Sequence, residues 1–374
     1  MNAGPGPSAG SVGDVAGGVS AAAAAGATMR AMVVDAPGPP EVLTLRTVPR
    51  PEPGPGQVRL RVAFVGMNPV DALVRRERLD WMPVRYPLTP GLEHTGVVDA
   101  IGADVEAAWL GRRVLSRISF GGYADWSIAP VKGLLVVPDG ISLRDGCVYR
   151  GCSYTAWHAL HRCARVQPGD RVLVHSAAGA VGVLALQIAR DAGARVVGLC
   201  GGAGKVAWLR TFGFADVVDY SVDGWPERAA ALSPGGAFDV ILDGNGGPEA
   251  QHNYALAAPL ARIVYLGAMA GAYPAPVPVD LLIARSFSVA GMTLRQVEVA
   301  PGSEADRAIV EAVRSGRWRL PIGEIVPLTE VAGLHRRLEA RQTRGRGIVE
   351  VGGERVAALS PSTSPAGAHA PPVR

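Results

Sequence analysis

The stretch Gly169-Asp-Arg-Val-Leu-Val-His-Ser-Ala-Ala-Gly-Ala-Val-Gly182 decides how this 374-residue chain is read. Its apolar run (171–174) suits a buried strand, the small residues after it suit a tight turn, and the apolar spacing through Gln187 and Arg190 suits a helix. A helix that starts directly out of such a turn leaves its first backbone N–H groups unpaired, and small side chains let an anionic group approach them. Strand, turn and helix in that order is the context in which such a loop holds a pyrophosphate. Gly179, Ala180, Val181 and Gly182 are therefore candidate cofactor contacts.

Downstream the same alternation continues, with buried-type strands expected at 195–199, 217–219, 239–242, 262–266 and 287–290 and helices between them. Six such strands predict an α/β unit with a doubly wound parallel sheet over residues 151–291. Upstream, residues 29–150 read as β-rich, with short runs at 31–34, 58–65, 95–101 and 122–128 broken by Pro and Gly. Beyond it, residues 292–352 carry a helical pattern (303–315), an extended piece (324–328), a helix (330–341) and a strand (347–351), expected to return to the first unit. Residues 1–28 and 353–374 are rich in Gly, Ala, Ser and Pro and are expected to be disordered tails.

Composition narrows the function classes. Hydrophobic residues are 48% and charged residues 19%, and no apolar run reaches the roughly 20 residues of a membrane helix. The net charge is +4, but the basic residues are scattered, so neither nucleic acid nor a membrane is an expected partner. The four cysteines form no C-x-x-C pair or disulfide framework, which suits a reducing cytoplasm.

The end of the second strand discriminates between nucleotides, because an acidic residue there accepts from a ribose 2′-hydroxyl and repels a 2′-phosphate. This chain has Cys200-Gly201-Gly202 there, followed by Lys205, one of only two lysines. Lys205 is placed on a 2′-phosphate as a point charge, with Tyr220 adding a hydrogen bond, and NADPH is the expected cofactor.

With Gly66-Met-Asn-Pro-Val-Asp71, Pro90-Gly-Leu-Glu-His-Thr-Gly-Val-Val98, the 169–190 signature, Thr155-Ala156 and Asp219-Tyr220, residues 29–351 resemble the quinone oxidoreductase (zeta-crystallin-like), zinc-free branch of the medium-chain dehydrogenase/reductase superfamily. One departure is Ala180, where the family usually has a second loop glycine, and its methyl is expected to crowd the pyrophosphate. The resemblance implies a GroES-like catalytic domain against a Rossmann domain. It implies Asn68, Ala180, Val181, Gly201, Gly202, Lys205, Tyr220 and Arg341 as nucleotide contacts. Thr155 and Gly267 join them, the latter in a loop flanking the nicotinamide, and Asn245 reads equally as cofactor contact or turn residue. Relatives commonly pair the last Rossmann strand, here residues 286–293, so a homodimer is expected.

Where zinc-dependent relatives carry metal ligands, this chain has Asn68, Leu92 beside Glu93, and Gly151, and no metal is expected. Cys147, Cys152, His158, His161 and Cys163 do not share one helix face and are not assigned to a metal. His94 reads as structural. Without a Lewis acid, a conjugated acceptor is favoured over a simple ketone. A quinone leaves a weakly basic hydroquinone anion that water can protonate, whereas an enone or enoyl thioester leaves an enolate. Enoyl-thioester reductases often carry a tyrosine where this chain has Leu79, and another pocket tyrosine is replaced by Leu73. The expected small-molecule acceptor pocket is lined by Leu73, Arg75, Trp81 and Arg150. The two arginines are candidates for an anionic substrate group, weighed against surface or linker roles. Asn68 and Asp71 are the candidate catalytic residues, Asp71 weighed against holding the turn after Pro69. Expected activity is NADPH-dependent hydride transfer to a quinone or similar acceptor. A double-bond reductase and an NADPH-binding protein with little turnover are the alternatives.

Overall fold

The computed structural model describes residues 26–77, 84–117, 119–267, 276–294, 297 and 300–359. The loop that opened the reading joins β8 (Arg171–Val174) to α4 (Ala180–Asp191). Around it stand β9 (Arg195–Cys200), β10 (Val217–Asp219), β11 (Phe238–Asp243), β12 (Ala257–Tyr265) and β13 (Ser288–Gly291), in the order β10-β9-β8-β11-β12-β13. Every pairing in this sheet is parallel. The order reverses beside β8, which makes the crevice outside its carboxyl end the topological switch point where ligands bind.

The other half holds a separate β1 (Thr28–Val33) and β2 (Thr44–Pro49) hairpin pair, then β3 (Gln57–Gly66), β4 (Glu93–Ile101), β5 (Arg113–Ser116), β6 (Trp126–Pro130) and β7 (Leu134–Val136). β14 (Ile322–Pro327) and β15 (Arg346–Glu350) join its sheet in the order β14-β15-β3-β4-β5-β7, with β6 on β3. The fold is thus α/β, a Rossmann-type six-stranded sheet beside a GroES-like β-rich unit.

Two helices interrupt the stretch read as β-rich. α1 (Pro69–Arg75) starts from a reciprocal capping box between Asn68 and Asp71 with Pro69 in the first turn, and α2 (Leu143–Tyr149) from Ser142, whose side chain accepts from Asp145 N. α3 (Gly151–His158) follows α2 and packs on α4, so one apolar core runs from Leu115 and Ile348 through Trp157 to Leu184. The remaining helices are α5 (Ala203–Arg210), α6 (Trp225–Ala231), α7 (His252–Leu256), α8 (Val279–Arg285), α9 (Glu304–Arg314), α10 (Val331–Glu339) and α11 (Gly353–Ala357). α11 corrects the expectation of a tail starting at 353: Val356 is buried in the core, which outweighs the small polar composition around it. The N-terminal tail, expected to run to residue 28, is likewise shorter, since β1 begins at Thr28; residues 1–25 and 360–374 lie outside the described residues.

Candidate active site

The nucleotide loop is built by backbone geometry. Ser176 takes a positive φ of 49°, and Gly182 packs so tightly that an added Cβ would stand 2.5 Å from Ser176 O. Gly179 is the N-cap of α4 and brings no side chain to cap it, so the first-turn N–H groups of Ala180, Val181 and Gly182 are left for a ligand. Ala180 is nearly buried at the head of the helix. Behind the loop, His175 Nε2 lies 2.7 Å from Asn253 Oδ1, Asn253 Nδ2 donates to Asp243 Oδ2 (2.8 Å), and Asp243 Oδ1 accepts from Asn245 N and Gly246 N. This buried chain locks the turns after β8 and β11 together, and it fixes Asn245 by its backbone. Leu266 N donates to Asp243 O, setting Gly267 beside the same turn.

At the end of β9 the residues expected around a 2′-phosphate converge. Gly201 lies under the Tyr220 ring, where a Cβ would come within 3.0 Å of the ring, and Gly202 has φ 92° with open space above it. Gly202 N donates to Asp219 Oδ1 (2.8 Å), which sets the turn. Lys205 Nζ donates to Arg341 O (2.6 Å), and burial lowers the lysine from its usual pKa. Burial raises the Tyr220 phenol, against the pull of the neighbouring Arg341 guanidinium. Open backbone donors, glycine-lined space and two cations fit the phosphates of a dinucleotide.

The segment before β15 joins the two halves of the cleft. Gly345 N donates to Ala178 O (2.7 Å) and Gly345 bridges Gly179. Its φ is 56°, and a Cβ there would stand 2.3 Å from Pro321 O, so only glycine fits. The next residue, Arg346, is buried in the catalytic half, donating from Nη1 to Asn68 Oδ1 (2.7 Å) and from Nη2 to Gly66 O (3.1 Å) and Glu93 Oε2. Asn68 Nδ2 donates to the same Glu93 oxygen (3.2 Å), while Glu93 Oε1 accepts from Gly151 N (3.1 Å). Gly151 O in turn accepts from Thr155 Oγ1 (2.7 Å). The Asn68 amide is therefore held in one orientation, linked through Glu93 and Gly151 to Thr155. Burial dominates the Arg346 environment, but the thiols of Cys152 and Cys147 and the Glu93 and Asp71 carboxylates leave its pKa raised. Gly345 and Arg346 were not singled out from sequence; Gly345-Arg346 before the last strand was the available signal.

Three assignments require correction. Asp71 is fully buried, and its carboxylate accepts from the backbone N–H groups of Asn68 (2.8 Å), Gly91 (3.2 Å) and Leu92 (3.0 Å). Burial lifts its pKa to about 6. It organises two turns and is not presented to an acceptor. Arg75 is fully buried, donating to Gly38 O and pairing with Glu339. Arg150 is 1% exposed and pairs with Asp306 (3.3 Å) above the Tyr154 ring, joining α2 and α3 to α9. Neither arginine lines the acceptor pocket, because each is buried and paired with an internal acid. Leu73 is half-buried on α1, and Trp81, like Leu79, lies outside the described residues. The Cys147, Cys152, His158, His161 and Cys163 set does not gather: among the described residues no group of three or more His, Cys, Asp or Glu is placed to hold a metal. His94 is buried between Ser127 Oγ (2.7 Å) and Gly91 O (3.2 Å).

A Rossmann-type loop tied through Gly345 to a buried polar cluster in the GroES-like half defines an NAD(P)-dependent oxidoreductase. The zinc-binding dehydrogenase family model matches residues 180–308, and the alcohol dehydrogenase GroES-like domain model matches residues 54–139. The chain is 30% identical over 327 residues to a 2-haloacrylate reductase of Burkholderia sp, covering 84% of this chain and 97% of that protein. It is 29% identical over 309 residues to a quinone oxidoreductase of Lama guanicoe, covering 82% and 92%. A mycobacterial structure complexed with NADPH superposes with a TM-score of 0.77 at 29% identity, covering 86% of this chain and 99% of the other. A Pseudomonas syringae quinone oxidoreductase gives 0.74 at 27% identity, with the same coverage. The chain belongs to the medium-chain dehydrogenase/reductase superfamily, among its quinone oxidoreductase-like members.

Proposed function

We propose that the protein is an NADPH-dependent, zinc-independent reductase of conjugated acceptors, a quinone or an electron-poor carbon–carbon double bond. The observation that carries this reading is the cluster of Asn68, Glu93 and Arg346. Its polar groups are a neutral amide and a carboxylate with hydrogen bonds on both oxygens, and a guanidinium already supplies positive charge there. Such a donor set suits no catalytic zinc. Bound NADPH supplies a hydride, and the chain supplies orientation and electrostatics. Ala180 to Gly182 would hold the pyrophosphate, Lys205, Tyr220 and Arg341 the 2′-phosphate, and Asn68 and Thr155 would border the nicotinamide. With Asp71 engaged by backbone donors, water protonates the product, which suits acceptors that give weakly basic anions.

The 2-haloacrylate reductase among the relatives supports the double-bond form of this reading. Purified protein with NADPH is tested against quinones, enones, enoyl thioesters and simple ketones, with zinc measured. Turnover of conjugated acceptors without zinc is the expected result. Ketone turnover with stoichiometric zinc overturns the reading, and tight NADPH binding without turnover leaves a nucleotide-binding protein.

The assembly we propose is a homodimer formed along β13, the sheet's edge strand, with α8 beside it presenting Val279 and Ile283 at 63% and 69% exposure. Sedimentation of Ile283→Glu checks this, a shift to monomer being expected. No helix among the described residues is long and apolar enough to cross a membrane. All four cysteines are free, which supports a reducing cytoplasm as the location.

A further inference from the structure

Arg117 follows β5, whose register with β4 places Ser116 opposite His94 and so carries the Arg117 side chain to Glu93. Its Nε stops 3.8 Å from Glu93 Oε1, beyond hydrogen-bond range. Glu93 has little left to offer it, since Oε1 accepts from Gly151 N and Oε2 from Asn68 and Arg346. Arg117 has no hydrogen-bond partner among the described residues, yet only 22% of its side chain is exposed.

Three arginines of similar burial hold an acid within hydrogen-bond distance, whereas Arg50 shares the loose state, 3.7 Å from Glu52. Arg59 (8% exposed) holds Asp99 at 2.9 Å, Arg171 (23%) holds Asp239 at 2.7 Å, and Arg262 (19%) holds Asp170 at 2.9 Å. A partly exposed guanidinium whose one acid neighbour is already occupied by other donors keeps N–H groups that a planar anion can take. Position selects which anion. Arg117 touches the carboxylate that orients Asn68, and its charge reaches the Cys152 thiol, one helical turn before Thr155 on α3. An anion held there would lie near Asn68 and Thr155, the residues proposed above to border the nicotinamide.

We propose that Arg117 is the anion-binding residue of the acceptor pocket, and that the acceptor is an α,β-unsaturated carboxylate whose carboxylate group it holds. This rests on the reduction of conjugated acceptors proposed above. Binding by the free guanidinium faces orients the double bond, and the same charge offsets the negative charge that reduction adds to the acceptor. Arg75 and Arg150, internally paired, have no part in it.

The test compares wild type with Arg117→Gln and Arg117→Lys in the full chain. Steady-state NADPH oxidation is followed with acrylate and with methyl acrylate, and acrylate is titrated calorimetrically into the protein–NADP+ complex. In the glutamine variant, kcat/KM for the acid relative to the ester is expected to fall about 10- to 100-fold, through KM, the range for one charge-assisted hydrogen-bond pair. Calorimetric affinity should fall in parallel, and lysine should recover part of both. An acid-to-ester ratio within twofold of wild type, or equal acrylate affinity in wild type and Arg117→Gln, overturns the proposal. So does reduction of neutral acceptors by a wild type that neither reduces nor binds acrylate. If no acceptor of any class is reduced, the broader reading fails, while the calorimetric comparison still decides whether Arg117 binds the anion.

Discussion

The nucleotide loop and the Asn68 pocket meet at Gly345 and Arg346, one residue apart, yet they are made of opposite materials. The loop is backbone: glycines at 179, 182, 201 and 202, positive φ at Ser176 and Gly202, and helix N–H groups left open. The pocket is side chain: an amide at the head of α1, a carboxylate on β4, and guanidiniums just after β5 and on β15, which are far apart in the chain. A site made of backbone depends on the absence of atoms and tolerates no added ones. A site made of buried charge depends on each partner being present, because an unpaired ion in the interior is costly.

Removing a partner should have the largest effect. Arg346→Ala leaves Glu93 buried without its cation and is expected to destabilise the protein by about 3–5 kcal/mol, read as a lowered urea midpoint. A comparable loss for Gly182→Ala, or none for Arg346→Ala, would erase the distinction.

Acid should separate the halves next. Burial holds His94 at a pKa of about 4 and His335 at about 3, both in the catalytic half. Folded values below the unfolded value mean that stability is full above about pH 6.5 and falls as the unfolded chain takes up protons that the folded chain refuses. The loss should approach 1.4 kcal/mol per pH unit for each histidine between about pH 6.5 and 4, partly offset below about pH 6 by Asp71, whose raised carboxyl takes up a proton first in the folded chain. Urea midpoints against pH measure it, and His94→Gln should flatten the slope.

Adding an atom to the loop comes after that. Gly182→Ala forces a Cβ against Ser176 O, and about 1–3 kcal/mol of stability should be lost, with weaker NADP+ binding by fluorescence titration. The smallest effect expected is a change of selectivity at constant fold. Lys205→Glu should lower NADPH affinity relative to NADH by about 10- to 100-fold, as loss of a charge-assisted contact requires. An unchanged preference would remove Lys205 from the 2′-phosphate.

The contrast also explains what could be read from the chain. The six Rossmann strands fall within a few residues of their expected positions because buried parallel strands are continuous apolar runs, and the loop between 174 and 182 is a local pattern. Gly201, Lys205, Tyr220 and Arg341, which the resemblance implied as nucleotide contacts, lie together at the end of β9. Asp71, Arg75 and Arg150 were misplaced for one shared reason. A charged residue looks the same in sequence whether it faces a ligand or an internal partner, and their partners lie at the backbone of 91 and 92, at Glu339 and at Asp306. Arg117 is the converse case, an arginine that the fold brings only to a carboxylate already occupied by other donors.

By itself the sequence determined the α/β class, the phosphate-binding turn and the superfamily, because each rests on contacts within some thirty residues or on periodicity that burial imposes. Only the tertiary structure decided which charged residues are structural and which are free to meet an acceptor. Strand pairing between β3, β4, β5 and β15 sets how many hydrogen bonds each buried group has already made, and no local pattern records that count.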